Sequence, residues 1–285
     1  MSEWTIRILD APEDMPAVEA LQRLVWAAPD IEIVPKDMLL AVAHNGGLVI
    51  GAFVEAGLVG ASFGFPAFYA TPDGPRLKHH SHFLAVHPAW RSKGLGFALK
   101  RAQWQMVRRQ GIDRITWTYD PLLSRNAHLN ITRLGAVCDT YLRSEYGEMQ
   151  DGLNAGLPSD RFQVDWWVNT PRVVRRLSRR SRPSLTIDQY RLAEAACLEA
   201  SHPPGSATIL PPPRAVPRLA GNLLLIEIPV DFLALKAADL ALASDWRFSL
   251  RETFEAAFAA GYLVTDFVHE GTRSFYILTH GEATF

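Results

Sequence analysis

The chain has 285 residues, 48% hydrophobic and 21% charged, the balance of a folded globular protein with ample material for a core. Its 29 basic residues against 30 acidic ones leave a formal charge of −1, so no basic excess marks it as a nucleic-acid binder. Two cysteines without a CxxC pair exclude a disulfide scaffold and a cysteine metal site.

The opening residues MSEWTIRILD lack the basic-then-apolar pattern of a signal peptide, and no run reaches the ~20 apolar residues of a membrane span. The expected location is the cytoplasm, with no membrane partner. Thr5 to Leu9 reads as a short strand, and Asp10 is placed to cap a helix from Ala11 to Ala27 with Pro12 in its first turn. Pro35 to Ala43 predicts a shorter helix stopped by Asn45-Gly46-Gly47. Leu48 to Val54 and Leu58 to Tyr69, parted by Glu55-Ala56-Gly57, predict a hairpin. Leu77 to Val86 predicts an inner strand broken at His87-Pro88. A helix follows from Leu95 to Gln110, with Gly111 where a left-handed stop is favoured.

Next come a strand over Arg114 to Tyr119, a helix over Asn126 to Leu134 and a strand over Val137 to Leu142. This order predicts an α/β or α+β layered domain, a mixed sheet flanked by helices, ending near residue 150. Phe162 to Val168 predicts a further strand, in which one of Trp166 and Trp167 is core and the other faces a pocket or interface. Pro171 to Arg182 predicts an arginine-bearing helix whose charges form a solvated face, and His202 to Pro217 reads as a linker. The rest predicts strands over Leu223 to Pro229, Tyr262 to Val268 and Ser274 to Leu278, with helices over Phe232 to Ala243 and Leu250 to Ala260. The expected organisation is 1–150, 151–217 and 218–285, the last a smaller α/β region that could be a degenerate half-copy of the first domain.

The chemistry concentrates in HFLAVHPAWRSKGLGFALK, residues 82 to 100, where a strand, a turn and Arg-x-x-Gly-x-Gly lead into a helix. Glycines admit main-chain amides to a phosphate, and the helix N-terminus adds positive potential there. Walker A needs a longer gap between glycines and a Gly-Lys-Ser/Thr ending. The dinucleotide fingerprint needs a third glycine where Leu99 stands, so neither fits.

This stretch resembles the acetyl-CoA-binding motif of the GNAT superfamily, and the preceding strand-helix-helix-hairpin order resembles that fold over residues 4 to 145. The resemblance implies acetyl-CoA or another acyl-CoA as cofactor, with its pyrophosphate on Arg91, Ser92, Lys93, Gly94, Leu95 and Gly96. It implies that the strand ending at Val86 splays from its neighbour, and that Leu84, Ala85 and Val86 meet the pantetheine arm. Asn126 would hold the pantetheine or cap its helix. The run DPLLSRNAHLNITRLGAV, followed by YGEMQDGLNAGLPSDRF, resembles a little-characterised bacterial subgroup with an extra C-terminal region. Some of its members are assigned N-succinylation of amino acids, which adds succinyl-CoA to the donors.

The implied reaction is N-acylation of a small-molecule primary amine, an amino acid among the options, with a homodimer left open. The strand before the motif offers His80 and His82 as the base, both read on one face with Leu84. The tyrosine that often serves as the family's acid falls at Ile131, which leaves Asn126 through water, His128, Tyr141 or no acid. A non-catalytic acyl-CoA-binding protein is the alternative. Cys138 lies away from the motif, so no covalent intermediate is expected, and no acidic spacing suggests a metal. The chain beyond residue 150 is expected to shape the acceptor side or a subunit interface and not to bind the cofactor.

Overall fold

The computed structural model describes residues 4–26, 33–55, 57–149, 155–178, 185–200, 211–213, 219 and 221–281. Most of the expected linker over 202–217, Ala27 and the end of the arginine helix lie outside these residues. The chain forms two compact units.

The first unit holds the described residues up to Trp117 together with Trp167–Asn169. Strands β1 (Thr5–Ile8), β2 (Leu48–Val54), β3 (Gly57–Tyr69) and β4 (Arg76–Val86) follow one another antiparallel. β5 (Arg114–Tyr119) joins β4 in parallel. Helices α1 (Met15–Trp26) and α2 (Lys36–His44) cover one face, where Met15, Val18, Leu21 and Leu39 bury against Val49, Ala61, Phe63 and Ala85. Helix α3 (Leu95–Arg109) packs on β2, β3 and β4. It meets Gly60 and Ser81, which alternate with that core set, so α3 lies on the opposite face. One expectation fails at the start. Asp10 does not cap α1: a 3₁₀ turn, Pro12–Asp14, precedes the helix, and its cap Ala11 makes no side-chain bond. Asp14 is held by a bidentate pair with Arg7, at 2.8 and 2.6 Å.

The second unit holds Thr118–Met149, the described part of 154–166 and the described chain from Thr170. Its strands are β6 (Val137–Leu142), β7 (Arg161–Trp167), β8 (Ala196–Leu198), β9 (Leu223–Ile228), β10 (Tyr262–Glu270) and β11 (Arg273–His280). They lie in the order β7-β6-β10-β11-β9-β8, antiparallel except between β8 and β9. The expected helix over 126–134 is instead α4 (Ser124–Ala127) running into a π-helical turn, His128–Arg133. Helices α5 (Pro171–Leu177), α6 (Ile187–Leu192), α7 (Phe232–Ala238) and α8 (Leu240–Ala259) complete the unit.

The predicted break between residues 243 and 250 does not occur. Asp239 leaves the helical region at φ −152°, ending α7, and its carboxylate then accepts the Leu242 amide at 2.9 Å to start α8. With neither Gly nor Pro inside it, α8 continues for 20 residues and buries Trp246, Leu250, Phe254 and Ala257. The arginine helix also departs from expectation. Arg172 donates to the carbonyls of Gly135 and Thr265, and Arg176 pairs with Asp266 at 2.7 Å, so two of its arginines clamp strands and turns.

The core of this unit gathers around Phe162, whose ring meets Phe254 at 4.7 Å and Tyr276 at 5.4 Å. Beside it, the buried Arg247 makes a fork-to-fork pair with Asp120 at 2.9 and 2.5 Å. Removing one partner strands a charge where water cannot reach it. Arg247→Met is expected to lower the unfolding free energy by about 3–5 kcal/mol. Adding Asp120→Asn should restore part of that loss in urea titrations, because the carboxamide carries no charge to strand.

Candidate active site

The turn after β4 is built to stay open. The His87 Nδ1 accepts the Ala89 amide at 3.2 Å, and a single 3₁₀ turn, Pro88–Trp90, redirects the chain. Arg91 leans back, its Nε donating to the Val86 carbonyl at 3.4 Å, while the Lys93 ammonium lies 4.4 Å over the Trp90 ring. Ser92 (φ +63°) and Gly94 (φ +86°) both take the left-handed conformation. Left-handed residues of this kind recur in the main-chain nests that bind anions. Gly94 caps α3, and the first bond of the helix runs from the Ala98 amide to the Gly94 carbonyl at 3.0 Å. The amides of Leu95 and Gly96 thus precede the ladder. A Cβ placed on Gly94 would meet no atom within 4 Å, so the left-handed φ and not crowding calls for glycine here. Leu95 is buried and anchors the helix start.

β4 carries a bulge. Phe63 pairs with Phe83 and Gly64 with Ser81, which leaves His82 as the extra residue. The bulge reverses the alternation along the strand. Phe83 and Ala85 pack with the α1 and α2 core, and His80 and His82 point to that same side. Leu84 pairs with Ser62 and faces α3, so the expectation that it shares a face with the two histidines is wrong. The parallel ladder to β5 is short: only His79–Ile115 and His80–Thr116 pair, and from Ser81 to Val86 no β5 pairing occurs among the described residues.

The His80 and His82 rings lie 6.3 Å apart, and both pack near Phe65, at 5.3 and 6.2 Å. Burial pushes the His80 pKa down to about 4, helped by His82, Lys78 and Lys100. His82 keeps part of its ring at the surface, and the apolar rings around it lower its pKa below the usual 6.5. Both imidazoles are neutral at pH 7. His82 also borders a cavity of about 580 Å³ between α2 and β3.

On the α3 side lies a buried polar cluster that the sequence did not announce. Lys100 is 2% exposed; its Nζ donates to Ser81 Oγ at 2.7 Å and Gln103 Oε1 at 3.1 Å, and sits 3.9 Å over the Trp117 ring. Gln103 bonds His79 Nε2 at 3.2 Å. Room for the His79 ring comes from Gly64, where a Cβ would collide with it. Burial lowers Lys100 to about 7 and, with the Lys100 and His80 charges, lowers His79 to about 3.

The remaining predicted residues sit in the second unit. Asn126 is the third residue of α4 and does not cap it; the cap is Leu123. Ile131 is fully buried in the π-helical turn and has no proton to give. Tyr141 donates to Asp160 at 2.8 Å, and burial raises its pKa, which commits it to the fold. His128 is exposed, its pKa lowered mainly by desolvation. Cys138 is buried, its thiol directed at the carbonyls of Thr140 and Gln163.

No family model matches this chain, and no curated protein does. Among solved structures, it is similar to the ribosomal-protein-S18-alanine N-acetyltransferase from Escherichia coli: 15% identity over 58% of this chain and 94% of that one, TM-score 0.44. An acetyltransferase of the GNAT family from Streptococcus pneumoniae gives 15% identity over 57% and 98%, TM-score 0.45. The yncA protein from Salmonella typhimurium, solved with its cofactor acetyl-CoA, gives 19% over 65% and 100%, TM-score 0.46. Likenesses at this level say nothing of function, and the chemistry must come from this chain's own residues.

The buried lysine has a measurable consequence. Its folded pKa of about 7 lies below the ordinary 10.5, so between these values the unfolded chain binds the additional proton. Folding stability must rise with pH across that window. Wild type is therefore expected to gain thermal stability relative to Lys100→Met as pH rises from about 7 toward 10, and to hold a constant difference below 7. Parallel melting curves for the two proteins across the window would place the charge in contact with water.

Proposed function

We propose that this chain is an acyl-CoA-dependent N-acyltransferase that acts on a primary amine of a small molecule by direct transfer. Acetyl-CoA is the first donor to test and succinyl-CoA the second. The observation that carries the reading is the construction of one strand: β4 ends in a left-handed glycine cradle, is released from β5, and bears a bulge with two neutral imidazoles.

Arg91, Ser92, Lys93, Gly94, Leu95 and Gly96 would hold the pyrophosphate through main-chain amides, the α3 dipole and two cationic side chains. Leu84, Ala85 and Val86 would offer the pantetheine a backbone edge with no ladder partner on the β5 side. An acyl-CoA bound there supplies the thioester carbon, to which the amine nitrogen bonds as the C–S bond breaks. His82 accepts the proton that the ammonium must lose, since it combines surface access with a border on the cavity. His80, with a pKa of about 4, is the weaker base and supports His82 from 6.3 Å.

The missing tyrosine fits this scheme. An amine of pKa about 10 cannot attack until it is deprotonated, whereas a thiol of pKa about 8.5 leaves as its anion at modest cost. The site needs its base more than an acid, and Ile131 does not disable it. A non-catalytic acyl-CoA-binding protein is the second reading, favoured by the burial of Ile131 and the commitment of Tyr141 to Asp160. Thiol release from acetyl- or succinyl-CoA with an amine panel separates the two.

Gly94→Glu is expected to abolish CoA binding in calorimetry while circular dichroism stays native, because it forces a strained left-handed side chain and a negative charge into the cradle. Unchanged affinity would remove the cradle from the reading. His82→Ala should lower kcat ~10²-fold, the scale of a positioned base, with a smaller loss for His80→Ala. Since the lowered pKa keeps His82 neutral below 6.5, the acidic limb of kcat/KM should fall below that pH. A limb at or above 6.5, or a rate indifferent to both substitutions, assigns deprotonation to solvent.

A further inference from the structure

We infer that the acceptor is an amine borne on an apolar, branched or aromatic body and carrying no carboxylate, bound in the cavity between α2 and β3. This rests on the acyltransferase reading above and specifies its substrate class. The cavity measures about 580 Å³, within the ~300–1,000 Å³ of small-molecule sites. From α2 it takes Met38, Ala41 and Val42, and from β3 it takes Phe63 and Phe65.

Two polar side chains join these walls, Asn45 and His82. The Asn45 carboxamide spends a donor on the Ala41 carbonyl at 2.7 Å, which leaves its oxygen to accept. His82 is neutral, makes only ring contacts among the described residues and offers a ring nitrogen lone pair. Both groups therefore suit an N–H donor, and His82 is the group proposed to take the amine's proton. A polyamine would bring further ammonium groups against Phe63, Phe65 and Val42, where desolvation is costly. A free amino acid would bring a carboxylate beside the amine, and no cation stands among the described lining residues to receive it. An apolar body instead gains roughly 25 cal/mol for each Å² it hides against these walls.

The choice of probes isolates each part of the claim. 2-Phenylethylamine and phenylalanine share one ring and differ by the carboxylate; 3-methylbutylamine tests a branched body, and spermidine tests a polycation. With the full chain and acetyl-CoA, kcat/KM for 2-phenylethylamine and 3-methylbutylamine is expected to exceed that for phenylalanine and spermidine by at least ~10-fold. Saturation-transfer NMR of the amines on the protein alone should show the same order. Ala41→Phe, which fills the cavity from an exposed helix position, should abolish the 2-phenylethylamine signal and leave CoA binding by calorimetry unchanged.

Preference for phenylalanine or spermidine overturns the inference, as does an undiminished 2-phenylethylamine signal in Ala41→Phe. If CoA fails to bind, the acyltransferase reading falls. The NMR order of the four amines still decides whether the cavity takes an apolar amine. Met38→Glu, at a half-exposed wall position, repeats the test with charge in place of bulk should Ala41→Phe fail to fold.

Discussion

β4 can serve two neighbours for only part of its length, and the first unit is arranged around that limit. A strand in mid-sheet normally bonds on both edges, but here the bulge at His82 falls two residues beyond the last pair with β5. A bulge bends its strand and increases the local twist, which carries β4 away from a parallel partner while the β3 ladder continues. The backbone edge thus released would be a cost in a sheet interior. At the proposed ligand site it would offer main-chain groups to a guest. Around the same bulge His82 borders the cavity and His80 packs on Phe65 on one face, while Ser81 and His79 meet α3 residues on the other. The placing of the imidazoles on one face and of the α3 contacts on the other therefore follows from one extra residue.

Much of this was legible in the sequence where the signal is local. The β-rich runs matched β2, β4 and β5 within a residue, and the Gly-x-Gly opening located the start of α3, because a left-handed glycine at a helix cap is a property of a few adjacent residues. What stayed hidden depends on distant partners. Nothing in LKHHSHFLAV says which residue β3 will fail to pair, so the bulge and the true face of Leu84 were out of reach. A lysine in the first half of a helix carries no local mark of burial; only Ser81, Gln103 and Trp117 together reveal Lys100 as buried. Arg172 and Arg176 read as solvated charge because their acceptors, Gly135, Thr265 and Asp266, lie about 40 to 90 residues away, as their hydrogen bonds record. The pairing of Val264 with Cys138 is of the same kind. α6, by contrast, carries a local signal in the sequence, the Thr186 and Gln189 capping box.

The two units treat most of their buried charge differently, and the difference bears on where the proposed chemistry falls. In the second unit the buried or half-buried cations have carboxylate or carbonyl partners: Arg247 with Asp120, Arg251 with Asp160, Arg273 with Glu227 and Arg172 with two carbonyls. The carboxylate partners fix geometry and hold the Arg247, Arg251 and Arg273 charges in place, whereas Arg172, with carbonyl partners, is lowered by burial to about 10. In the first unit His79, His80, His82 and Lys100 are buried or ring-packed with no carboxylate bonded to them among the described residues, and burial lowers every one of their pKa values. Packing for stability alone would favour apolar residues at such positions, since a depressed base costs folding energy whenever the solution is acidic enough to protonate it in the unfolded chain. Titratable groups shifted by their surroundings concentrate where protons are moved. The four bases crowd the stretch of β4 at which the strand leaves β5, with the cradle at its far end. The proposed proton transfer and anion binding thus both fall in the first unit, and the paired charges of the second would act as scaffold.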